Sequence, residues 1–274
     1  MRQGHCMIVY GASLMIALLS ASAAQEIAIP PGSMLLIGGR HQDLPNDLRD
    51  LFFELAGGRN ARIVVIPTAV ADAGLHSPDE FLKPWEDLKP MSVQVLHTRD
   101  RKKADDPVFV KPLREATAVF FTNGHRHRIF DAYRSTLVHQ ELKKLQARGG
   151  LVGGTGSGAA VLCDLVSNRD NEDQLTQPGL GLLSGFLINE DGSKGRFAEA
   201  AAANPAYVGF EIDPGTAVEI RGKNMRVIGA GKVSVRLSKG GGQEEKIDRL
   251  KSGTRLDLVK LRREAASRVG NYKR

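Results

Sequence analysis

Apolar residues follow two alternating patterns along the chain, one typical of strands and one typical of helices. Short apolar runs predict strands at residues 34–38, 62–67, 93–96, 118–121 and 151–154. The continuous run at residues 62–67 is typical of a parallel strand covered on both faces. Between these runs, apolar positions three and four residues apart predict helices at residues 47–55, 81–88, 108–114, 135–148 and 157–165. This alternation predicts an α/β fold whose mostly parallel sheet is flanked by helices on both sides.

The pattern changes after residue 170, where the predicted elements become shorter. A strand at residues 186–189 and an alanine-rich helix at residues 197–203 come first. Four short strands follow, at residues 208–212, 217–220, 225–228 and 233–237. Gly222 and Gly229 stand where tight turns belong, so these strands predict an antiparallel meander at the edge of the sheet.

The C-terminal segment is the most basic part of the chain. Of the formal net charge of +7, most lies at residues 239–274, where eleven Lys and Arg outnumber five Asp and Glu by six. Three consecutive glycines at residues 240–242 predict a flexible joint between a single domain at residues 25–238 and this basic tail. Contact with an acidic polymer is one interpretation of the tail, and a solvated helix or a frayed terminus is the simpler one. No specific nucleic acid is predicted.

Residues 1–24 have the pattern of a secretory signal peptide. Arg2 precedes an apolar run at residues 6–19, and small residues follow it. A membrane anchor is the alternative, but a spanning helix needs about 20 consecutive apolar residues and this run is shorter. Cleavage after Ala23 or Ala24 predicts a secreted or periplasmic protein without membrane attachment.

Residues 149–162 are the most informative segment, with the sequence Gly-Gly-Leu-Val-Gly-Gly-Thr-Gly-Ser-Gly-Ala-Ala-Val-Leu. A strand that enters a sharp turn and leaves it as a helix is the geometry of a nucleophile elbow. Backbone N–H groups at such a turn stabilise an oxyanion, and small residues let its two arms pass close together. Gly154, Thr155 and Gly156 are therefore candidate binding residues.

This segment resembles the elbow of the cyanophycinases and the related aspartyl dipeptidases, which reads Gly-Gly-Thr-Ser-Ala-Gly-Ala-Ala. The resemblance extends over roughly residues 34–237 and includes the stretches at residues 55–68, 113–122, 179–183 and 227–233. It implies a three-layer α/β fold like that of class I glutamine amidotransferases, which is flavodoxin-like. It also implies serine-type hydrolysis of aspartate-containing peptides, in which a later histidine activates the elbow serine and an acidic residue assists.

The chain departs from this family at the residues that perform the chemistry. Alignment of the elbow places Gly156 at the serine position and Ser157 one residue later, while the histidine position falls near Glu190 or Asp191. All seven histidines precede the elbow: His5, His41, His76, His97, His125, His127 and His139. Because loss of a triad serine or histidine costs on the order of a million-fold in turnover, we expect ordinary triad hydrolysis to be absent.

The family's pocket segment, Thr-Gly-Gly-Asp-Gln, is replaced here by Thr-Asn-Gly-His-Arg at residues 122–126. The resemblance therefore makes Gly124, His125 and Arg126 candidate binding residues. With Arg128, they make the expected rim of the pocket more basic than that of the family. Aspartate-containing or other anionic peptides are the expected ligands.

Other interpretations of these residues remain open. Ser157 is a candidate nucleophile with His125 as its base, but an N-terminal capping or small packing residue is the simpler interpretation. His125 and His127 with Asp191 form a candidate metal site, although a solvated surface explains the same spacing. The acidic residue of the triad has four candidates: Asp164, Asp170, Glu172 and Asp173.

The sequence thus predicts an exported cyanophycinase-like protein that lacks hydrolysis and keeps its pocket for binding. An active hydrolase that uses Ser157 with a non-standard base is the first alternative, and a binder of an acidic polymer through the basic tail is the second. Cys163, the cysteine left after removal of the signal peptide, is expected in the core. No cofactor or metal is predicted, and a homodimer is compatible with the sequence.

Overall fold

A computed structural model describes residues 32–71, 79–168, 174–189 and 194–269 of the chain. The strands are β1 (Ser33–Ile37), β2 (Arg62–Ile66), β3 (Ser92–Val95), β4 (Ala118–Phe121), β5 (Leu151–Thr155), β6 (Leu165–Ser167), β7 (Thr176–Pro178), β8 (Phe186–Asn189), β9 (Val208–Ile212), β10 (Thr216–Arg221), β11 (Asn224–Gly229), β12 (Lys232–Leu237), β13 (Lys246–Lys251) and β14 (Arg255–Asp257). The helices are α1 (Asn46–Leu55), α2 (Asp79–Glu86), α3 (Arg101–Ala104), α4 (Lys111–Glu115), α5 (Arg126–Tyr133), α6 (Leu137–Ala147), α7 (Ser157–Ala160), α8 (Lys194–Ala203) and α9 (Leu258–Ser267).

An eight-stranded sheet in the order β14-β11-β10-β1-β5-β4-β2-β3 forms the central layer. From β1 to β3 in this order all neighbours are parallel, whereas β10, β11 and β14 add antiparallel strands at one edge. The predicted α/β fold, with a mostly parallel sheet and antiparallel strands near the C-terminus, is confirmed. The carboxyl ends of β1, β5, β4 and β2 meet at one edge, where open α/β sheets bind their ligands.

Successive residues of the central strands enter two separate cores on opposite faces of the sheet. On one face, which we call the α1–α2 face, Leu35, Val65 and Phe120 pack with residues of α1 and α2. On the other, the α7 face, residues such as Leu36 and Phe121 pack with α4, α5, α6, α7 and a second sheet. Burial on both faces explains why these strands read as continuous apolar runs.

The four short strands predicted as one meander are divided between two sheets. β10 and β11 extend the central sheet, whereas β9 and β12 join β8 and β13 in a four-stranded sheet of order β13-β12-β9-β8. The chain crosses between the sheets at Asp213, whose side chain accepts a hydrogen bond of 3.0 Å from the Lys232 backbone N–H. Strand periodicity predicts that these segments are strands, but their partners depend on tertiary packing.

The prediction of a flexible joint followed by a solvated or frayed tail was wrong for the described residues up to 269. β13 pairs with β12 along its length, β14 pairs with β11, and α9 packs into the core on the α7 face. Leu258, Leu261 and Ala265 of α9 are buried, and the buried guanidinium of Arg268 donates to the carbonyls of Ser238 and Glu244. The segment therefore contains an amphipathic helix that belongs to the domain, although basic residues surround its apolar positions in the sequence.

Two helices differ from those predicted near the candidate site. α5 occupies residues for which no helix was predicted, because three of its first four residues are His or Arg and obscure the helical spacing of its apolar positions. The helix predicted at residues 157–165 ends at Ala160, since Cys163 forms a bridge with Leu183. No helix within the described ranges is long and apolar enough to span a membrane. The predicted signal peptide lies outside the described residues.

A half-buried imidazole on α6 makes the fold sensitive to mild acid. His139 Nε2 donates to the Leu180 carbonyl at 2.6 Å, and Nδ1 accepts the Ser135 N–H at 3.2 Å, so the neutral ring is satisfied at both nitrogens. Burial lowers the pKa of His139 below its usual value of 6.5. The unfolded chain therefore binds more protons than the folded chain below that pH, and stability falls as the pH falls.

We expect the stability contributed by His139 to be complete above pH 6.5 and to be lost as the pH falls from there towards the folded pKa. Urea unfolding of the native protein and of His139→Gln at pH 7.5 and at pH 5.5 measures this effect. The difference in unfolding free energy between the two proteins should be smaller at the lower pH. A difference that stays constant would contradict the assignment of a neutral buried ring.

Candidate functional site

The turn between β5 and α7 keeps the backbone geometry of a nucleophile elbow. Gly156 stands at its apex with φ of 50° and ψ of −119°, a conformation that L side chains rarely adopt. Its N–H donates to the Ile37 carbonyl at 2.9 Å, and its own carbonyl accepts the N–H groups of Ala159 and Ala160 at 3.0 Å each. The elbow is therefore intact, but the position at its apex carries no side chain.

Small residues around the apex are required by close backbone packing. A Cβ atom on Gly158 would lie 2.6 Å from the Thr122 carbonyl oxygen and closer still to that of Phe121. A Cβ atom on Gly154 would lie 2.7 Å from the Phe121 oxygen. The glycines thus let α7 rest directly on the carboxyl end of β4, whether or not the site performs chemistry.

Ser157 is tied to the loop that follows β4. Its hydroxyl donates to the Gly124 carbonyl at 2.8 Å and accepts the Gly124 N–H at 2.7 Å. The side chain is buried, and it is the first residue of α7, whereas Gly156 occupies the capping position. Ser157 therefore joins the elbow to the neighbouring loop and does not cap the helix.

The basic residues predicted at the rim have different surroundings. His125 and His127 are exposed at the start of α5, with ring centroids 5.6 Å apart. Arg126 is buried, at 3% exposure, so its guanidinium is not presented on the surface. Arg128 is half-buried and donates to the Val70 carbonyl at 2.6 Å. The exposed basic character of the rim therefore rests mainly on the two histidines.

No base contacts Ser157 in the described part of the chain. Among the described residues, the hydrogen bonds of its hydroxyl are those to Gly124, and His125 makes its ring contact with His127 instead. Asp191, proposed as a third metal ligand and as the residue nearest the histidine position, lies outside the described residues, as does Glu190. Within the described ranges, no group of three or more His, Cys, Asp or Glu could hold a metal ion.

Asp164, the acidic candidate within the described residues, does not lie at the elbow. Asp164 lies beyond the far end of α7, where its carboxylate accepts the Ser184 hydroxyl at 2.9 Å and the Gly185 N–H at 3.0 Å. Asp170, Glu172 and Asp173 fall outside the described residues. Complete burial raises the pKa of the neighbouring Cys163 thiol well above its usual value, which makes it an inert core residue as expected.

The polar pair of His41 and Asn123 at this edge of the sheet was not predicted from the sequence. His41 Nδ1 lies 2.5 Å from Asn123 Oδ1, and the His41 backbone N–H donates to the same oxygen at 2.8 Å. The second bond identifies that atom as an acceptor, so Nδ1 carries the ring proton and Nε2 does not. Burial lowers the pKa of His41. Both residues follow shortly after predicted strands, and this position is the sequence feature that could have indicated the pair.

Thr122 and Thr155 occupy equivalent places at the ends of β4 and β5. Both are buried, and neither Oγ1 atom has a hydrogen-bond partner among the described residues. Both threonines lie two residues beyond positions that face α1 and α2, so their side chains point to the α1–α2 face. Thr155 was predicted from the sequence as a binding residue, whereas no role was predicted for the Thr122 hydroxyl.

Comparison with known proteins identifies the family of the chain. The model of the family described as Peptidase family S51 matches residues 34–228. The crystal structure of a peptidase from an acI-B1 Actinobacterium has 25% identity and a TM-score of 0.63, covering 82% of this chain and 96% of that one. A candidate peptidase E protein from Listeria monocytogenes EGD-e has 16% identity and a TM-score of 0.47, covering 82% and 100%. No curated protein matches the chain.

Proposed function

Because this chain belongs to peptidase family S51, as the resemblance to the cyanophycinases and aspartyl dipeptidases implied, we propose that it keeps the family's elbow but does not perform serine hydrolysis. The observation that carries this proposal is Gly156 at the apex of an otherwise intact elbow. A glycine offers no atom that can attack a carbonyl carbon. Loss of the triad nucleophile costs on the order of a million-fold in turnover.

Ser157 is a poor replacement for the missing nucleophile. Its hydroxyl would have to leave two hydrogen bonds with the Gly124 backbone before it could approach a substrate. Each such bond contributes about 1 kcal/mol, and the Gly124 N–H and carbonyl would lose their partner as well. No imidazole contacts this hydroxyl among the described residues, so nothing there would remove its proton.

Binding of carboxylate-bearing peptides is the role that the remaining surface supports best. His125 and His127 are exposed beside the elbow, and Arg128 is half-buried next to them. Charged and imidazole N–H groups of this kind form charge-assisted hydrogen bonds with carboxylates. The pattern of residues 1–24 favours export, so we propose that the protein holds anionic peptides outside the cytoplasm.

A fluorophosphonate probe tests the loss of hydrolysis directly. We expect the mature protein to be labelled no more than Ser157→Ala, and not to cleave aspartate-containing dipeptides faster than that variant. An active serine peptidase of the same family, treated in parallel, shows that the probe and the peptides are competent. Covalent labelling that disappears in Ser157→Ala, together with peptide cleavage, would overturn the proposal.

Peptide binding is measured separately by calorimetric titration with an aspartate-rich hexapeptide. We expect binding that weakens with salt and that falls several-fold in the double variant His125→Gln/His127→Gln, because the rim loses its charge-assisted donors. His139→Gln is the control, since that histidine is engaged with Leu180 and Ser135 on α6. Equal binding by the native protein and the double variant would refute the assignment of the rim.

A further inference from the structure

We propose that a cavity on the α1–α2 face binds a free α-amino acid with an apolar side chain. The cavity has a volume of about 230 Å³. It opens among α1, α2 and the carboxyl ends of β2 and β4, and we call it the Trp85 cavity. Its polar and aromatic lining includes His41, Arg49, Glu80, Phe81, Trp85 and Thr122. The proposal goes beyond the proposed function and does not depend on it.

The Trp85 cavity is separate from the elbow helix. Its aromatic side chains Phe81, Trp85 and Phe120 belong to the core on the α1–α2 face. Ala159 and Ala160 of α7 belong to the core on the opposite face of the sheet. The aromatic side chains of the cavity and the elbow helix therefore lie on opposite faces of the sheet.

An unsatisfied hydroxyl lies in the cavity wall. Thr122 is 2% exposed and its Oγ1 has no hydrogen-bond partner among the described residues. Thr68, two residues beyond β2, is by contrast satisfied, because its hydroxyl is hydrogen-bonded to the Tyr133 hydroxyl at 2.6 Å and to His97 Nδ1 at 3.0 Å. A buried hydroxyl without a partner costs about 1–3 kcal/mol, so a polar ligand atom that reaches Thr122 regains that free energy.

The charged groups of the lining have opposite signs. Glu80 is exposed at the start of α2 and has no ion pair among the described residues. Arg49 on α1 donates to Asp50 through Nε and Nη2, at 3.2 and 3.0 Å, which leaves its Nη1 outside this pair. A carboxylate beside a guanidinium suits a ligand that carries both an ammonium and a carboxylate group.

The imidazole of His41 adds a hydrogen-bond acceptor to the same wall. Asn123 holds the proton on Nδ1, so Nε2 is left with its lone pair. Burial lowers the pKa of His41, and the neutral ring therefore persists at neutral pH. A neutral acceptor near Glu80 favours an ammonium group over a second anion.

The size and the apolar surface of the Trp85 cavity restrict the class of ligand further. Drug-sized ligands occupy pockets of about 300–1,000 Å³, so a cavity of about 230 Å³ fits a smaller molecule. Phe81, Trp85 and Phe120 supply an aromatic surface for an aliphatic side chain. An amino acid such as leucine combines these properties: one ammonium, one carboxylate and a branched apolar group.

Trp85 provides the measurement, because it is the only tryptophan of the chain. We expect L-leucine to change the Trp85 fluorescence of the mature protein with a saturable dependence on concentration. N-acetyl-L-leucine, which lacks the ammonium, and L-leucine methyl ester, which lacks the carboxylate, should each bind at least about tenfold more weakly. Calorimetric titration with the same three compounds covers the case in which binding leaves the fluorescence unchanged.

Substitutions in the cavity lining, compared with matched controls, test whether L-leucine binds in the Trp85 cavity. We expect Glu80→Gln, Arg49→Gln and Thr122→Val each to weaken L-leucine binding by roughly five- to tenfold. Glu86→Gln, which is exposed on the same helix as Glu80, and Arg59→Gln, which is exposed beyond α1, should bind as the native protein does. Glu80→Gln changes an exposed side chain and keeps the test valid if Thr122→Val fails to fold.

Two results would overturn the proposal. The first is no saturable fluorescence or heat change with L-leucine up to about 10 mM, well above a millimolar Kd. The second is L-leucine binding that is equal in the native protein and in Glu80→Gln and Arg49→Gln. Neither result affects the test of hydrolysis, which uses the fluorophosphonate probe and the elbow.

Discussion

Removal of residues 240–274 is expected to abolish cooperative unfolding of the domain. The deletion removes β13, which pairs with β12 over six residue pairs. It also removes α9, whose Leu258 and Leu261 are buried in the core on the α7 face. Full burial of each leucine contributes about 1.5–3 kcal/mol. The deletion also removes the Arg268 guanidinium, which satisfies the carbonyl of Ser238 in the remaining chain. These losses are comparable to the 5–15 kcal/mol stability of a typical domain.

A single substitution measures the same effect on a graded scale. Leu261→Ala should lower the unfolding free energy by about 2–4 kcal/mol, because it leaves a cavity between α9 and the core. Lys260→Ala, one residue earlier and exposed, should change it by less than about 0.5 kcal/mol. Guanidinium unfolding followed by circular dichroism gives both values. If the deletion variant unfolds with the native midpoint, the segment is a tail after all.

Gly158→Ala is expected to destabilise the protein by at least about 3 kcal/mol. The new methyl group would meet the carbonyl oxygens of Phe121 and Thr122, and both are backbone atoms in the central sheet. Relief of the clash requires that α7 move away from β4. That movement would also stretch the two hydrogen bonds between Ser157 and Gly124. Thermal unfolding of the purified variant measures the loss.

Gly195→Ala is the matched control for this substitution. Gly195 is exposed in α8, and a Cβ atom there has no neighbouring atom within 4 Å. Alanine favours a helix over glycine by up to about 1 kcal/mol, so this variant should be as stable as the native protein or more stable. Equal stability of Gly158→Ala and the native protein would show that the elbow has room that the structure does not indicate.

Gly158→Ala, compared with its control, separates packing from chemistry at the elbow. Gly154 and Gly158 are explained by the close approach of α7 to β4, which does not require a working nucleophile. Gly156, by contrast, stands where the resemblance places a serine, and its backbone conformation is one that a serine adopts only under strain of about 1–3 kcal/mol. We therefore attribute the retention of the small residues of the elbow to their role in folding.

Local periodicity was enough to predict the central sheet. Strands buried on both faces must be apolar at every position, and helices that cover them must be apolar every three or four residues, so β1, β2, β4, β5 and the helices α1, α2, α4 and α6 follow from the sequence. The helix α5 does not, because three of its first four residues are His or Arg. The family motif at residues 153–158 likewise located the elbow and the absence of its serine, because both depend on residue identity alone.

Only the tertiary structure decided which separate segments meet. It placed α9 in the core, divided the C-terminal strands between two sheets, tied Ser157 to Gly124 and joined His41 to Asn123. These contacts join residues far apart in the chain, and their polar or basic composition is equally typical of a solvated surface. Local periodicity records which face of an element is buried, whereas the identity of its partner depends on the packing of the whole chain.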